Sequence, residues 1–248
     1  MAARGFLGSG DLYINRIVGG VAQGWVGPYE ASKFEIKPNV ELKELTSRGK
    51  ASYGQVIESV ALAQPSDFTV ELPEVNKDSL ALALLGTNTT ITQNSGTVTD
   101  EVVTAKLGIW VPLTKAKVST VVVTNSAAST TYVNGTDYIV NAELGWIKAL
   151  ADGAITADQS LKVDFAHAAI SGTKIAGATN ADVRAKFMLD GKNQADGLPC
   201  IVNVFEGVIA ADSAFDFLSN DFNTVSLPGR MKTPTGFTEP FTVDLRST

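Results

Sequence analysis

The sequence holds few residues of the kinds that carry out catalysis. His167 is the single histidine, so a Ser-His-Asp or Cys-His site would have to use it. It ends the stretch VDFAH and precedes two alanines, and the chain contains no GxSxG turn for a serine nucleophile. These surroundings favour an ordinary histidine at the end of a strand. We predict that the chain is not an enzyme.

The residues that could bind a metal or a nucleotide have simpler interpretations. Asp190, Asn193 and Asp196 could ligate calcium, but their spacing departs from the EF-hand loop, and the two Asp-Gly pairs in this stretch are strong turn signals. We predict a solvated hairpin turn there. Cys200 is the only cysteine, which excludes an intrachain disulfide and a multi-cysteine zinc site and indicates small core filler. We predict no catalytic, cofactor-binding or metal-binding residues.

Composition and charge limit the partners of the chain. The 248 residues are 44% hydrophobic and 19% charged, which is enough for a buried core. The net charge is −6, and no cluster of lysines and arginines is present, so tight binding of nucleic acid is disfavoured. The negative charge is compatible with nucleic acid that passes without binding, because an acidic surface repels phosphate. No apolar run has the length of a signal peptide or a membrane span, so we expect a cytosol-like compartment and no membrane.

The elements that would position functional residues are mostly strands. A period of two predicts a strand from Phe34 to Leu42, a second strand from Tyr53 to Leu62, and a third from Phe68 to Leu72 after a break at Gln64-Pro65-Ser66. Three strands in succession indicate an antiparallel meander. Leucines on one helical face followed by a glycine predict a short helix from Lys77 to Leu85.

The rest of the pattern divides the chain into a core, an arm and an insertion. Residues 1–30 are rich in glycine and predict a flexible N-terminal arm, and residues 87–100 predict a polar loop or hairpin. Residues 116–169 form a self-contained β unit with turns at Asn134-Gly135 and Asp152-Gly153. The fold class is therefore mainly β, with a core over residues 31–115 and 170–248, one short helix, and a small inserted module.

Three stretches, taken in order, resemble the tail tube protein (major tail protein) of long-tailed bacteriophages, the siphophages. The resemblance covers most of residues 30–248. The stretches are FEIKPNVELKELTSRGKASYGQVIESVALAQPSDFTVELPEVN with the helix DSLALALLG after it, the add-on pattern TTYVNGTDYIV, GWI and LKVDF, and KFMLDGKNQADGLPCIVNVFEGVIAADSAFDFLSNDFNTVSLPGRM.

The resemblance implies a tail-tube-type β-sandwich or barrel with one flanking helix and a small inserted Ig-like module on the outer surface. Such subunits form stacked, typically hexameric rings around a channel that delivers double-stranded DNA. The implied partners are further copies of the chain, the tape measure, tail terminator and distal tail proteins, and DNA that passes without specific binding. The implied location is the virion tail, after assembly in the cytoplasm of the bacterial host.

The resemblance also implies which residues meet the channel and the neighbouring rings. Acidic residues of the first strands are the candidates for the lumen, because a basic lining would bind DNA in summed increments and stall it. The arm and the polar loop supply the candidates for contacts between rings. The lumen candidates are Glu35, Glu41, Glu44 and Glu58, and the inter-ring candidates are Leu12, Tyr13, Ile14, Thr90, Ile91 and Thr92.

Three other interpretations stay open. The first is another phage structural or accessory protein that carries the same add-on. The second is a β-sandwich binding module for carbohydrate or a cell surface, which the wide separation of Trp25, Trp110 and Trp146 in the sequence disfavours. The third is a hydrolase, for which His167 is the only histidine.

Overall fold

The structure, a computed structural model, describes residues 5–210 and 214–246 and is mainly β in this part of the chain. The chain divides into two compact units, the first before Thr89 and after Lys174 and the second between them. The elements are β1 (Gly8–Val18), β2 (Val21–Ala22), β3 (Val26–Glu30), β4 (Lys33–Thr46), β5 (Val56–Leu72), α1 (Lys77–Ala83), β6 (Thr87–Gln93), β7 (Gly96–Thr104), β8 (Trp110–Pro112), β9 (Val118–Asn125), β10 (Tyr138–Asn141), β11 (Trp146–Ala149), β12 (Ser160–His167), β13 (Ile170–Ala176), β14 (Val183–Asn193), β15 (Pro199–Ile209), β16 (Val225–Met231) and β17 (Phe241–Leu245).

The first unit is built on a nine-stranded antiparallel sheet. Its strand order is β2-β1-β14-β15-β16-β5-β4, with β3 paired to β1 and β17 paired to β15. Alternate residues of these strands point to one side, where they and helix α1 enclose a single apolar core. The largest fully buried side chains of that core are Phe68, Phe187, Leu12, Leu72 and Leu227.

The N-terminal segment differs from the predicted flexible arm. Residues 1–4 of that arm lie outside the described residues, but from Gly8 onward the chain forms β1, β2 and β3. Strand β1 lies between β14 on one edge and β2 and β3 on the other, in register from Gly8↔Asn193 to Ile17↔Arg184. The apolar residues of LYINRIV therefore serve the core. The glycines that suggested flexibility accommodate turns, as at Gly19 and Gly20, where φ is positive.

Strand β5 crosses the predicted break at Gln64-Pro65-Ser66 and runs without interruption for 17 residues. The register with β4 passes from Lys37↔Asp67 to Asn39↔Gln64, so β5 carries one extra residue, a β-bulge, at the proline. The Asn39 Nδ2 group donates to the Pro65 carbonyl at 3.0 Å and to an Asp67 carboxylate oxygen at 2.8 Å. A bulge accepts a residue without an N–H, which explains why proline does not end the strand.

The short helix was predicted correctly, although it ends earlier than Leu85. Asn76 caps its N-terminus: the side-chain oxygen accepts from the Ser79 N–H at 2.9 Å, and the Ser79 hydroxyl accepts from the Asn76 N–H at 3.0 Å. The chain leaves the helix through Leu85, whose φ is +47°. Gly86 comes next in the chain. A Cβ at this position would lie 2.7 Å from the Ala176 carbonyl oxygen, so close packing requires a glycine here. No described helix is long and apolar enough to cross a membrane.

The second unit is a small β-sandwich. One sheet has the order β7-β12-β9 and the other β10-β11-β8, and they share a core of their own. This unit is wider than the predicted module over 116–169, because β7 pairs with β12 and β8 pairs with β11. The predicted polar loop over 87–100 consists of β6 and the start of β7, and β6 pairs with β13. The pattern of residues does not indicate these pairings, because the partner strands are separated by more than thirty residues.

Candidate functional site

The hairpin of β4 and β5 extends well past the core of the first unit. Near its base, β5 pairs with β16 from Leu72 to Asp67, and Phe34 and Ile36 of β4 pack against the core. Among the described residues, β4 is the only strand that pairs with β5 beyond Asp67, and β4 is an edge strand of the sheet. We call residues 39–64, from this point to the turn and back, the projecting ribbon. Eight residues of a strand span about 26 Å, so the ribbon is a substantial projection.

The projecting ribbon exposes an unusual number of large apolar side chains. Leu42 is 63% exposed and Val40 is 60% exposed, and five other aliphatic residues of the ribbon are also at the surface. Two-stranded hairpins are marginally stable alone in water, and exposed apolar edge strands pair readily with other chains. The ribbon thus has the character of a contact surface. Its exposed apolar residues are Val40, Leu42, Leu45, Val56, Ile57, Val60 and Leu62.

The tip of the ribbon is ordered by hydrogen bonds. The Ser47 N–H donates to the Gln55 carbonyl at 2.7 Å, and the Gly54 N–H donates to the Ser47 carbonyl at 2.9 Å. The hydroxyls of Ser47 and Ser52 lie 2.7 Å apart, and Gly54 takes a φ of +83° that suits glycine. A closed turn of this kind holds the two strands in register. The ribbon therefore presents its apolar residues in a fixed order.

The two faces of the ribbon differ in chemistry. One face continues the core-facing side of β4 and carries Val40 and Leu42, paired with Ala63 and Ala61. The opposite face, which we call the charged face, carries both charged and apolar residues. That second face presents Glu41, Lys43, Leu45, Glu58, Val60 and Leu62.

The predicted lumen residues divide between these faces. Glu35, Glu41 and Glu58 lie on the charged face, whereas Glu44, paired with Ser59, lies on the opposite one. Lysines accompany two of them: Lys33 Nζ is 2.8 Å from a Glu35 carboxylate oxygen, and Lys43 Nζ is 3.8 Å from Glu41. The hydrogen bond and charge of Lys33 hold the pKa of Glu35 below its usual value. Strands β4 and β5 together carry three lysines and six carboxylates, a net charge of −3.

The predicted inter-ring residues also divide. Leu12 and Ile14 are buried in the core of the first unit, and Tyr13 is half-buried, so the first two are not available for contacts between subunits. Strand β1 needs them for packing, which the alternation within LYINRIV signals in retrospect. Exposed side chains are found at the other three positions, Thr90, Ile91 and Thr92 on β6.

The structure places the residues considered for catalysis or metal binding on three strands and one turn. His167 ends β12 opposite Gly96, and its buried Nδ1 has no hydrogen-bond partner among the described residues. Asn193 ends β14 and Asp196 lies in the predicted β14–β15 turn, where their side-chain oxygens accept the N–H groups of Ala195 at 3.2 Å and Leu198 at 3.0 Å. Cys200 is buried, and this burial raises the pKa of its thiol. No group of three or more metal-ligating side chains occurs in the described part of the chain.

A surface cavity of about 660 Å³ in the first unit is lined by charged side chains that pair with one another. Arg184 donates to both carboxylate oxygens of Asp182, at 2.7 to 3.0 Å, and to Glu206 at 2.9 Å. Lys232 Nζ lies 3.5 Å from the same Glu206. The hydrogen bond from Arg184 lowers the pKa of Asp182. Because these cations are already paired, the projecting ribbon remains the stronger candidate.

No curated protein matches the sequence. The model of one protein family, described as "Protein of unknown function UCP028589", matches residues 5–234. The match covers most of both units. The chain therefore belongs to this family.

Proposed function

We propose that the protein is a structural, non-enzymatic subunit of a phage tail tube, which polymerises as stacked rings around a channel for double-stranded DNA. The observation that carries the proposal is the projecting ribbon, which exposes apolar side chains and pairs with no strand of the described chain other than its own two. The resemblance of the sequence to tail tube proteins supports the same function. On this proposal the other partners are the remaining tail proteins, and the location is the virion.

The ribbon suits an interface between identical subunits. Its two strands expose aliphatic side chains on both faces, and β4 is an edge strand whose outer backbone groups pair with no other described strand. A neighbouring copy that covered both would satisfy the backbone and bury the aliphatic residues. A contact between two different surfaces of one subunit closes into a ring when the rotation allows it. Repeated contacts of this kind bury the large areas typical of permanent assemblies.

The charge of the hairpin suits a channel for DNA. Its charged face holds Glu41 and Glu58, and the lysines on this face lie beside carboxylates instead of forming a basic stripe. DNA binding strengthens with each phosphate that a lysine or arginine neutralises. A lining of net negative charge avoids that attraction. Because salt screens fixed charges beyond about 8 to 10 Å, only residues at the lumen surface affect the DNA.

The test of the proposal is assembly of the purified full chain. Electron microscopy and sedimentation velocity should show rings or tubes at high protein concentration. The double substitution Val40→Asp and Leu42→Asp should abolish the rings and tubes, because it places charge on the face of the ribbon that carries these two residues. Thermal unfolding of each unit should remain two-state. Leu218→Asp, at a leucine that is 91% exposed outside the ribbon, is the matched control and should still assemble.

Two results would contradict the proposal. A wild-type protein that remains a monomer at every salt concentration, also in extracts of infected cells, is not a tube subunit. Tubes of normal yield from the double variant would show that assembly does not use the ribbon.

The lumen assignment has its own test. Reversal of Glu41 and Glu58 to lysine should leave ring formation intact and slow or block DNA delivery, since both residues lie on the charged face. Glu44→Lys on the opposite face is the matched control and should have a smaller effect on delivery. Normal delivery by virions that carry both reversals would remove Glu41 and Glu58 from the lumen.

A further inference from the structure

The second unit brings two tryptophans together that are far apart in sequence. In the sheet β10-β11-β8, Ile147 and Ala149 point into the core, so their neighbours Trp146 and Lys148 point to the opposite side. Lys148 is directly opposite Trp110, and Trp146 is directly opposite Pro112. Trp110 and Trp146 are thus diagonal neighbours on one face, a separation of about 7 to 8 Å between backbones. We call Trp110, Trp146, Lys148 and Ile139 the aromatic face.

The polar groups of the aromatic face have no hydrogen-bond or ion-pair partner in the described part of the chain. Neither indole N–H donates a hydrogen bond, and Lys148 forms no ion pair, among the described residues. The Lys148 ammonium instead lies over the Trp110 ring, 4.9 Å from its centre. Trp146 is 38% exposed and Trp110 is half-buried. An indole is apolar across its ring and polar at its N–H, so the face offers both stacking surface and free donors.

This combination fits a saccharide better than other ligands. The C–H faces of pyranose rings stack on flat indoles, and their hydroxyls accept hydrogen bonds from indole and ammonium N–H groups. The unpaired charge of Lys148 complements a carboxylate, sulfate or phosphate on such a chain. Nucleic acid is disfavoured, because it binds mainly through several neutralised phosphates and the face supplies a single cation, whereas the stacking of sugar rings on indoles requires no charge.

We propose that the aromatic face binds an acidic polysaccharide, with sugar rings against Trp146 and Trp110 and an anionic substituent at Lys148. The separation of the tryptophans in sequence disfavoured a carbohydrate site, and the register of β8 and β11 removes that objection. The proposal goes beyond the tube function and does not depend on it, since the face lies within one unit of one chain.

Affinity electrophoresis of the full chain tests the proposal. Gels containing polygalacturonate or hyaluronate should retard the protein, and dextran, a neutral glucan, should retard it less. Trp146→Ala and Trp110→Ala should each weaken binding about tenfold, the loss typical of one aromatic anchor. Lys148→Gln should weaken binding to the acidic chains about fivefold and leave binding to dextran unchanged. Trp25→Ala, at a tryptophan of the first unit that is 45% exposed, is the matched control.

Several outcomes would overturn the proposal. No retardation by either acidic polysaccharide excludes the assigned ligand class. Equal retardation by poly-glutamate, which has charge but no sugar ring, shows binding by charge alone. A change in sedimentation of Trp146→Ala without a change in polysaccharide binding makes the face a contact between copies. Should Trp110→Ala fail to fold by circular dichroism, Trp146→Ala and Lys148→Gln still decide the result.

Discussion

The two units differ in how far their strands extend past their cores. Strands of the second unit have at most nine residues, and both of its sheets face one shared core. The first unit contains β4 with 14 residues and β5 with 17, and only the half near Phe34 and Phe68 covers its core. The excess length forms the projecting ribbon. A strand that extends beyond its own core exposes apolar side chains and backbone groups that another chain can bind. A closed sandwich exposes only the outer faces of its sheets.

The strongest test of this division separates the two cores. The ring centres of Phe68 and Phe187 are 4.9 Å apart in the core of the first unit, and the Phe68 ring lies so close to Gly207 and Gly229 that a Cβ at either glycine would overlap it. Phe165 is buried in the core of the second unit. Phe68→Ala should destabilise the first unit by about 3–5 kcal/mol and leave the second unchanged, and Phe165→Ala should do the reverse. Calorimetry, with fluorescence of tryptophans in each unit, measures both transitions. A single transition that shifts in both variants would show that the units unfold together.

A smaller effect depends on pH and should be confined to the second unit. Backbone N–H groups of Val133 and Ala154 donate to the Asp137 carboxylate at 2.8 Å each and lower its pKa. A lowered native pKa stabilises the fold above the usual aspartate pKa of about 3.9, and this contribution is lost as pH falls through the native value. The unfolding temperature of the second unit should fall between pH 5 and pH 2 in the wild type.

Asp137→Asn provides the comparison for that experiment. It should lower the unfolding temperature of the second unit at pH 7 and flatten its dependence on pH, because the charged acceptor is gone. Asp152→Asn, at an exposed turn of the same unit, is the matched control. An equally steep pH dependence in the Asp137 variant would assign the effect to other carboxylates.

The smallest expected effect is on the first unit when the second is deleted. The chain ends that remain lie close together, since the hydroxyls of Thr87 and Thr179 are 3.3 Å apart and the Ala178 N–H donates to the Leu84 carbonyl at 2.8 Å. A short linker in place of residues 89–174 should therefore leave the unfolding temperature of the first unit nearly unchanged and still permit tubes. This outcome is expected of a module displayed on the outer surface. A variant that folds but cannot polymerise would give the second unit a part in assembly.

The sequence by itself determined the features that depend on near neighbours. Alternation from Phe34 to Leu42 predicted β4, the spacing of leucines predicted α1, and Asn134-Gly135 and Asp152-Gly153 predicted turns that the structure contains. These signals are local because side-chain period, helix capping and turn geometry involve only a few consecutive residues.

Tertiary structure alone decided the features that depend on distant partners. Strand β1 becomes an interior strand by pairing with β14, about 175 residues away, and the register of β8 and β11 places Trp110 beside Trp146. Likewise, β5 continues past Pro65 because Asn39 of the opposite strand bonds to the bulge. A strand carries the same alternation whichever partner it joins, so its pattern does not identify that partner. The positions of the candidate sites therefore depend on strand pairing and register, which are set only when the two cores form.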